Sequence, residues 1–445
     1  MGLYYVHYAI QCIAIASPWG FLGDDHTWQR ICVKLDLSEY LKSTVPYISF
    51  GTYLDEIISE EQKTILENNR TLNDDAHTLP FSDVERDILQ DWFEFNESAF
   101  TLFEESLQHP TFYIPPVLLA LVRQENEEIW EETSEVELIE ISGLYLIADC
   151  FCKRCHYHLS LGNTEKAWLD VQRLYRILKM HSPNTFRALA ADGFMREIAN
   201  RTSESVLHYG NWSCMEIRQK LEEVIAAQHP LTDTDVQRII RGERLRLLDH
   251  CQRFSKLSDI YLPRSLVPVG QIMVATNRTF DEYANDKPIE NYPNTNNREF
   301  IKSKDLFESE NTIDIFRIFG WYGLRGAIAE GIGRDREHLN LIISHVYAQM
   351  VDSELTRLVF ALELYRKEHE DRYPPDLATL CNGYIEKIPI DPFSQVGNSV
   401  IYKANTDFTG YLLYSVGING VDDGGLNEKD NENNDDIRRK WHYEK

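Results

Sequence analysis

Through roughly the first 265 residues, apolar positions recur at three- and four-residue spacing, in segments separated by short polar breaks. That period predicts amphipathic helices. Residues 83–107 read as one such run, with Val84, Ile88, Leu89, Trp92, Phe93 and Phe95 on its apolar side. Pro80 precedes it and Pro110 follows it as helix punctuation. Residues 136–180 predict an αα-hairpin. Its first helix runs to about Leu161. Gly162 and Asn163 make the turn, because both tolerate left-handed backbone angles. Thr164 is the expected N-cap of the second helix, which carries Trp168, Val171, Leu174, Tyr175 and Leu178 on one face.

The pattern then changes. Residues 276–311 are rich in Asn, Asp, Glu and Lys, hold Pro288 and Pro293, and predict a polar linker or long loop. Helical spacing returns over 312–345, where Gly320, Gly323 and Gly326 form a stripe suited to close helix packing. From Val346 to Lys367, Val351, Leu355, Leu358, Leu362 and Tyr365 make one continuous apolar stripe that needs a partner surface. Tyr373-Pro374-Pro375 stops that helix, and Asp376 can cap a short helix through Leu380. Residues 399–403 and 410–416 read as strands. The expected organisation is a mainly α region over 1–275 built of αα-hairpins or a helical bundle, the linker 276–311, a helical connector over 312–345, and an α+β domain over 346–445. In that domain a long helix packs on a small antiparallel sheet.

Charge narrows the partners. The protein has 445 residues and a formal charge of −26, which argues against nucleic acid or anionic lipid, since both need a basic surface. No stretch reaches the ~18–20 apolar residues of a membrane-spanning helix. Residues 8–22, interrupted by Pro18 and Trp19 and lacking a basic start, read as a buried helix rather than a signal peptide. The eight cysteines are too sparse for a disulfide scaffold.

Three features carry candidate chemistry. The run Cys150-Phe151-Cys152-Lys153-Arg154-Cys155-His156-Tyr157-His158 would place Cys152, Cys155 and His156 on one helix face as a soft-metal site, or simply pack in the hairpin core. No phosphate-loop lysine, His-Glu-x-x-His or Gly-x-Ser-x-Gly motif is present. The string from Leu161 to Trp168 resembles the middle of a tetratricopeptide repeat, without a second copy at a period of about 34 residues. Finally, residues 422–436 hold seven carboxylates and one lysine. Such a segment repels itself unless a cation neutralises it. Calcium takes six to eight oxygens from carboxylates, Asn and backbone carbonyls, and glycines 417, 420, 424 and 425 permit the turns that aim them. A solvated acidic tail is the alternative.

The run Leu362-Glu363-Leu364-Tyr365-Arg366, then Arg372-Tyr373-Pro374, Tyr384 to Phe393 with its Asp391-Pro392-Phe393, Leu413 to Gly420, and Asp435-Asp436-Ile437 resembles the globular head of the major pseudopilin of type II secretion, over about 95 residues. The resemblance implies calcium held by the Val416 carbonyl and the side chains of Asn419, Asp435 and Asp436, with Asp422 and Asp423 as further candidates. Asn419 stands where that family has Asp, and the loop before Asp435 is longer. Some 340 residues precede the head helix, and no long apolar pilin helix adjoins it, so a pilus-building role is not expected. The whole sequence resembles uncharacterised bacterial envelope proteins, which implies an extracytoplasmic location. The expected function is non-enzymatic, with unidentified protein partners. The alternatives are a metal-dependent enzyme with its site in the helical region and a helical-repeat scaffold unrelated to secretion.

Overall fold

The structure, a computed structural model, describes residues 83–108, 133–181, 183, 186–228, 230–254, 335–394, 397–425 and 436–441. These residues form eight α-helices and, near the C-terminus, a three-stranded antiparallel sheet. Residues 8–22, the linker 276–311 and the glycines at 320, 323 and 326 lie outside the described residues. Among the described residues no helix is long and apolar enough to cross a membrane. The protein divides into two compact units, Met1–Ser182 with Phe194–Gln228, and Pro183–Gly193 with His229–Lys445.

The first unit opens with α1 (Asp83–Phe95) and α2 (Glu97–Ser106). The sequence pattern predicts a single run here. Asn96 interrupts it: its φ and ψ are −102° and 14°, and its side-chain amide donates to the Trp92 carbonyl at 2.9 Å, competing with the helix ladder. Next come α3 (Thr133–Ser160) and α4 (Thr164–Met180), joined by a turn over 161–163 with Gly162 at φ +73°. This is the predicted hairpin, except that Asn163 occupies the N-cap and Thr164 is already helical.

A buried ion cluster ties α2, α3 and α4 together. Arg154 forks onto the fully buried Asp170, with contacts at 2.6 and 3.0 Å, and reaches Glu104 at 2.7 Å. Its guanidinium lies over the Phe100 and Phe151 rings. The planar fork suits both tasks, and pairing is what makes burial of Asp170 tolerable.

Two further helices, α5 (Phe186–Tyr209) and α6 (Cys214–Ala227), bond to α4. Ser213 and Glu216 form a capping box that starts α6. The Tyr175 hydroxyl donates to Asn200 Oδ1 at 2.8 Å, and Gln228 Nε2 donates to the same oxygen at 3.0 Å. Trp168 Nε1 donates to Glu223 at 2.7 Å. The Lys220 ammonium sits 3.8 Å from the Trp212 ring centre and 4.7 Å from that of Trp168.

The second unit contains the first turns of α5, helix α7 (Asp233–Phe254) and helix α8 (Asp335–Glu368). Leu189, Val236, Ile239, Ile240, Ile342 and Val346 share one core. Helix α7, read from the sequence as part of the 1–275 region, therefore clusters with the C-terminal elements. Helix α8 also runs unbroken through the 345/346 boundary. Its predicted stripe is buried from Val351 to Leu362, but so are Val359, Phe360, Ala361, Glu363 and Leu364. The helix is enclosed on nearly all sides there, more than one stripe implies. Asp376 accepts from the Thr379 N–H and caps a 3-10 helix, Leu377–Cys381.

The sheet has the order β1 (Ile401–Ala404), β2 (Tyr411–Ser415), β3 (Ile437–Trp441). Ile401 pairs with Tyr414, and Ser415 pairs with Ile437. Central β2 is buried at all five positions, and α8 packs against β2 and β3. Strand β3, Ile-Arg-Arg-Lys-Trp, carries no alternating apolar signal. Arg439, 2% exposed, fixes it by donating to Asp352 of α8 at 2.6 Å and to Thr356 at 3.3 Å.

Candidate metal centre

The loop that leaves β2 contains most of the predicted calcium ligands. It is anchored by Asp391, which is 1% exposed. One Asp391 oxygen accepts from the Ser415 hydroxyl at 2.9 Å and the Phe393 N–H at 3.0 Å, and the other accepts from the Val416 N–H at 2.9 Å. Three donors on one buried carboxylate hold the end of β2, and with it the Val416 carbonyl group, in one place.

Beyond Val416 the backbone turns repeatedly. Gly417, Gly420, Gly424 and Gly425 all have φ between +67° and +79°, angles that cost little only without a Cβ. The Gly420 N–H donates to the Gly417 carbonyl at 3.1 Å. Asn419 Oδ1 accepts from the Val421 N–H at 2.6 Å, and Asp422 Oδ1 from the Gly424 N–H at 2.8 Å. Across the loop, the Gly425 N–H donates to Asp436 Oδ2 at 2.8 Å. A Cβ on Gly425 would lie 2.9 Å from a Leu412 methyl, so a side chain there would have to displace Leu412.

Two residues join this loop to the sheet. The Tyr414 hydroxyl donates to Asp422 Oδ1 at 2.9 Å, and Lys403 Nζ donates to the Tyr414 oxygen at 2.7 Å. A cation on β1 thus supports an acid of the loop through one phenol. Partial burial, and then the charges of Asp423 and Asp422, push the Asp436 carboxyl above its ordinary range. Burial is the larger cause of that shift, and the neighbouring carboxylates add to it.

Of the six predicted ligands, Val416 is buried, Asn419, Asp423 and Asp436 are half-buried, and Asp422 is exposed. The fold brings Asp422 and Asp423 into electrostatic reach of Asp436, thirteen or more residues on. Asp435 lies outside the described residues. Among the described residues, no group of three or more His, Cys, Asp and Glu side chains closes on a metal-sized point. The donors are nevertheless hard oxygens of the kind calcium takes, and a carboxylate that accepts one backbone N–H retains further lone pairs for a metal. Sequence reasoning missed Asp391, Tyr414 and Lys403 as supports. Asp391 and Tyr414 do stand inside the quoted motifs, which was the available signal.

The cysteine cluster on α3 has a different character. Cys150, Cys152, Cys155 and His156 are all buried in the hairpin core, and His158 lies half-buried at its edge. Burial pushes the Cys152 thiol up to about 12 and the Cys155 thiol well above its usual range. His156 Nδ1 lies 2.8 Å from the Cys152 carbonyl oxygen and 3.6 Å from its sulfur. A carbonyl only accepts, so Nδ1 carries the proton and does not serve as a base for the thiol. Thr202 donates its hydroxyl to the Cys152 sulfur at 3.2 Å. These are neutral, packed thiols, without the thiolate character that nucleophilic catalysis needs. No family model, no curated protein and no solved structure matches this sequence.

Proposed function

We propose that this protein is a non-enzymatic component of the cell envelope whose C-terminal α+β unit is a pseudopilin-like head stabilised by calcium, with structural or protein-interaction roles. The observation that carries the reading is the loop after β2, pinned to the sheet by Asp391 and Tyr414, with Asp422 and Asp423 within electrostatic reach of Asp436. The motif series from Leu362 to Ile437 and the packing of α8 on the sheet support it. The Val416 carbonyl, Asn419, Asp435 and Asp436 would hold the ion, with Asp422 and Asp423 as further donors. Bound calcium would supply the positive charge that these acids lack.

The test is thermal unfolding of the full-length protein in calcium chloride, magnesium chloride and EDTA. Calcium at about 100 times its dissociation constant should add about 2.7 kcal/mol of stability, and Asp423→Asn with Asp436→Asn should remove that gain. An unfolding temperature that is the same in calcium and EDTA sinks the proposal.

A second reading, a helical-repeat scaffold, draws on one observation: α5 and α6 both bond to α4 of the α3–α4 hairpin. A scaffold of this kind would bind its partner on α3–α6 whether or not calcium is present. Partner-dependent amide-exchange protection confined to those helices would favour it. Protection confined to residues 335–441 would exclude it.

A further inference from the structure

We propose that Asn419 is a site of spontaneous, backbone-assisted deamidation, and that its conversion to aspartate adds a carboxylate to the loop that carries Asp422 and Asp423. Asparagine is among the chemically labile residues, and it is most labile before glycine, where no side chain shields the attacking nitrogen. The sequence holds two Asn-Gly steps, Asn382-Gly383 and Asn419-Gly420.

At Asn419 the surroundings favour the chemistry. Asn419 and Gly420 are half-exposed, so water and hydroxide reach them. The Val421 N–H donates to Asn419 Oδ1 at 2.6 Å. That bond holds the side-chain amide against its own backbone and polarises the carbon to be attacked. It also remains in place for the oxygen that becomes an oxyanion, which is where a preorganised donor has most effect. The opposing interaction is the Gly420 N–H bond to Gly417, at 3.1 Å, which must open before the nitrogen reacts.

The steps balance without any oxidant. Hydroxide takes the Gly420 amide proton, and the nitrogen forms a bond to Asn419 Cγ. The electron pair moves to Oδ1, under the Val421 N–H. The bond between Cγ and Nδ2 then breaks, and ammonia leaves with a proton from water. Water opens the resulting succinimide. The product depends on which ring carbonyl water attacks: attack at the backbone carbonyl breaks its bond to nitrogen and leaves isoaspartate, and attack at Cγ breaks the bond from Cγ to nitrogen and leaves aspartate. The net reaction is amide plus water to carboxylate plus ammonium.

The consequence for metal binding rests on the calcium reading above. An Asn carbonyl that becomes a carboxylate raises the ligand charge and hence calcium affinity, while calcium already holding Oδ1 would restrain the amide and slow the reaction. The experiment incubates the full-length protein at mildly alkaline pH in EDTA or in calcium chloride and maps its peptides by mass. A synthetic peptide spanning 415–423 serves as the clock, and the Asn419→Gln variant as the blank. The peptide containing residue 419 should gain the mass of an amide-to-acid exchange in EDTA, more slowly in calcium, and not at all in the variant. Equal gain with and without calcium leaves the modification standing and removes the calcium reading. No gain in EDTA by the time the synthetic peptide has converted overturns the proposal.

Discussion

Gly210 shows how much one missing methyl group can decide. A Cβ at this position would lie 1.9 Å from Trp212 Nε1 and 2.6 Å from the Val206 carbonyl oxygen. The indole N–H donates to that same oxygen at 2.8 Å, and Lys220 lies over the ring. Gly210→Ala must therefore expel Trp212 and uncouple Lys220. The expected cost is about 3 kcal/mol, read in urea unfolding and accompanied by a red shift of tryptophan emission. An unshifted spectrum with unchanged stability would refute this account. Asp436 is governed by electrostatics. Its folded pKa is raised by partial burial and by Asp423 and Asp422. A raised carboxyl adds stability that is fully present below its unfolded pKa and is lost as pH rises through the folded value. In EDTA, the unfolding temperature of the wild type should therefore gain on acidification towards the carboxylate range relative to Asp436→Asn, which lacks the titration. Calcium, which favours the ionised form, should reverse the sign of that difference. Parallel pH profiles of the two proteins in EDTA would contradict the assignment.

Among the elements, helix α8 and strand β3 carry the clearest energetic claim. Arg439 and Asp352 are both buried, and together they link sheet to helix. Removing one partner strands the other charge, so Arg439→Met should cost about 3–5 kcal/mol. Pairing Arg439→Met with Asp352→Leu should recover most of that loss, because two apolar groups need no partner. Urea midpoints of the two single variants and the double variant form the cycle that checks it. A double variant no better than the worse single variant would show that the pair does more than satisfy itself. The same pair explains why β3 was not legible in the sequence. A strand reading Ile-Arg-Arg-Lys-Trp lacks alternation, and its one buried charge is tolerated only because a helix far earlier in the sequence supplies the acid. Asn96 is the local counterpart. The break between α1 and α2 comes from one side-chain amide bonding to the Trp92 carbonyl, which periodicity alone does not register.

For the molecule as a whole, a formal charge of −26 sets the problem that the candidate loop meets in miniature. Among the described residues, positive charge reaches the loop from Lys403 through Tyr414, and from Arg438, which donates to the Gly425 carbonyl at 3.3 Å. A bound cation and a deamidated Asn419 would shift this balance in opposite directions, which is why both tests compare calcium with EDTA. By itself, the sequence determined the features governed by neighbours along the backbone: the α3–α4 hairpin with its Gly162 turn, the stripe of α8, the Asp376 cap, β1 and β2, and the glycine-rich turns after Val416. Backbone preference and short-range periodicity encode these directly. Only the tertiary structure decided that α7 clusters with the C-terminal elements, that α8 crosses the expected domain boundary, that Cys152 and Cys155 are neutral core thiols, and that Asp422 and Asp423 come within electrostatic reach of Asp436. Each of those depends on groups far apart in sequence, where burial and charge pairing set the outcome and no local pattern records the partner.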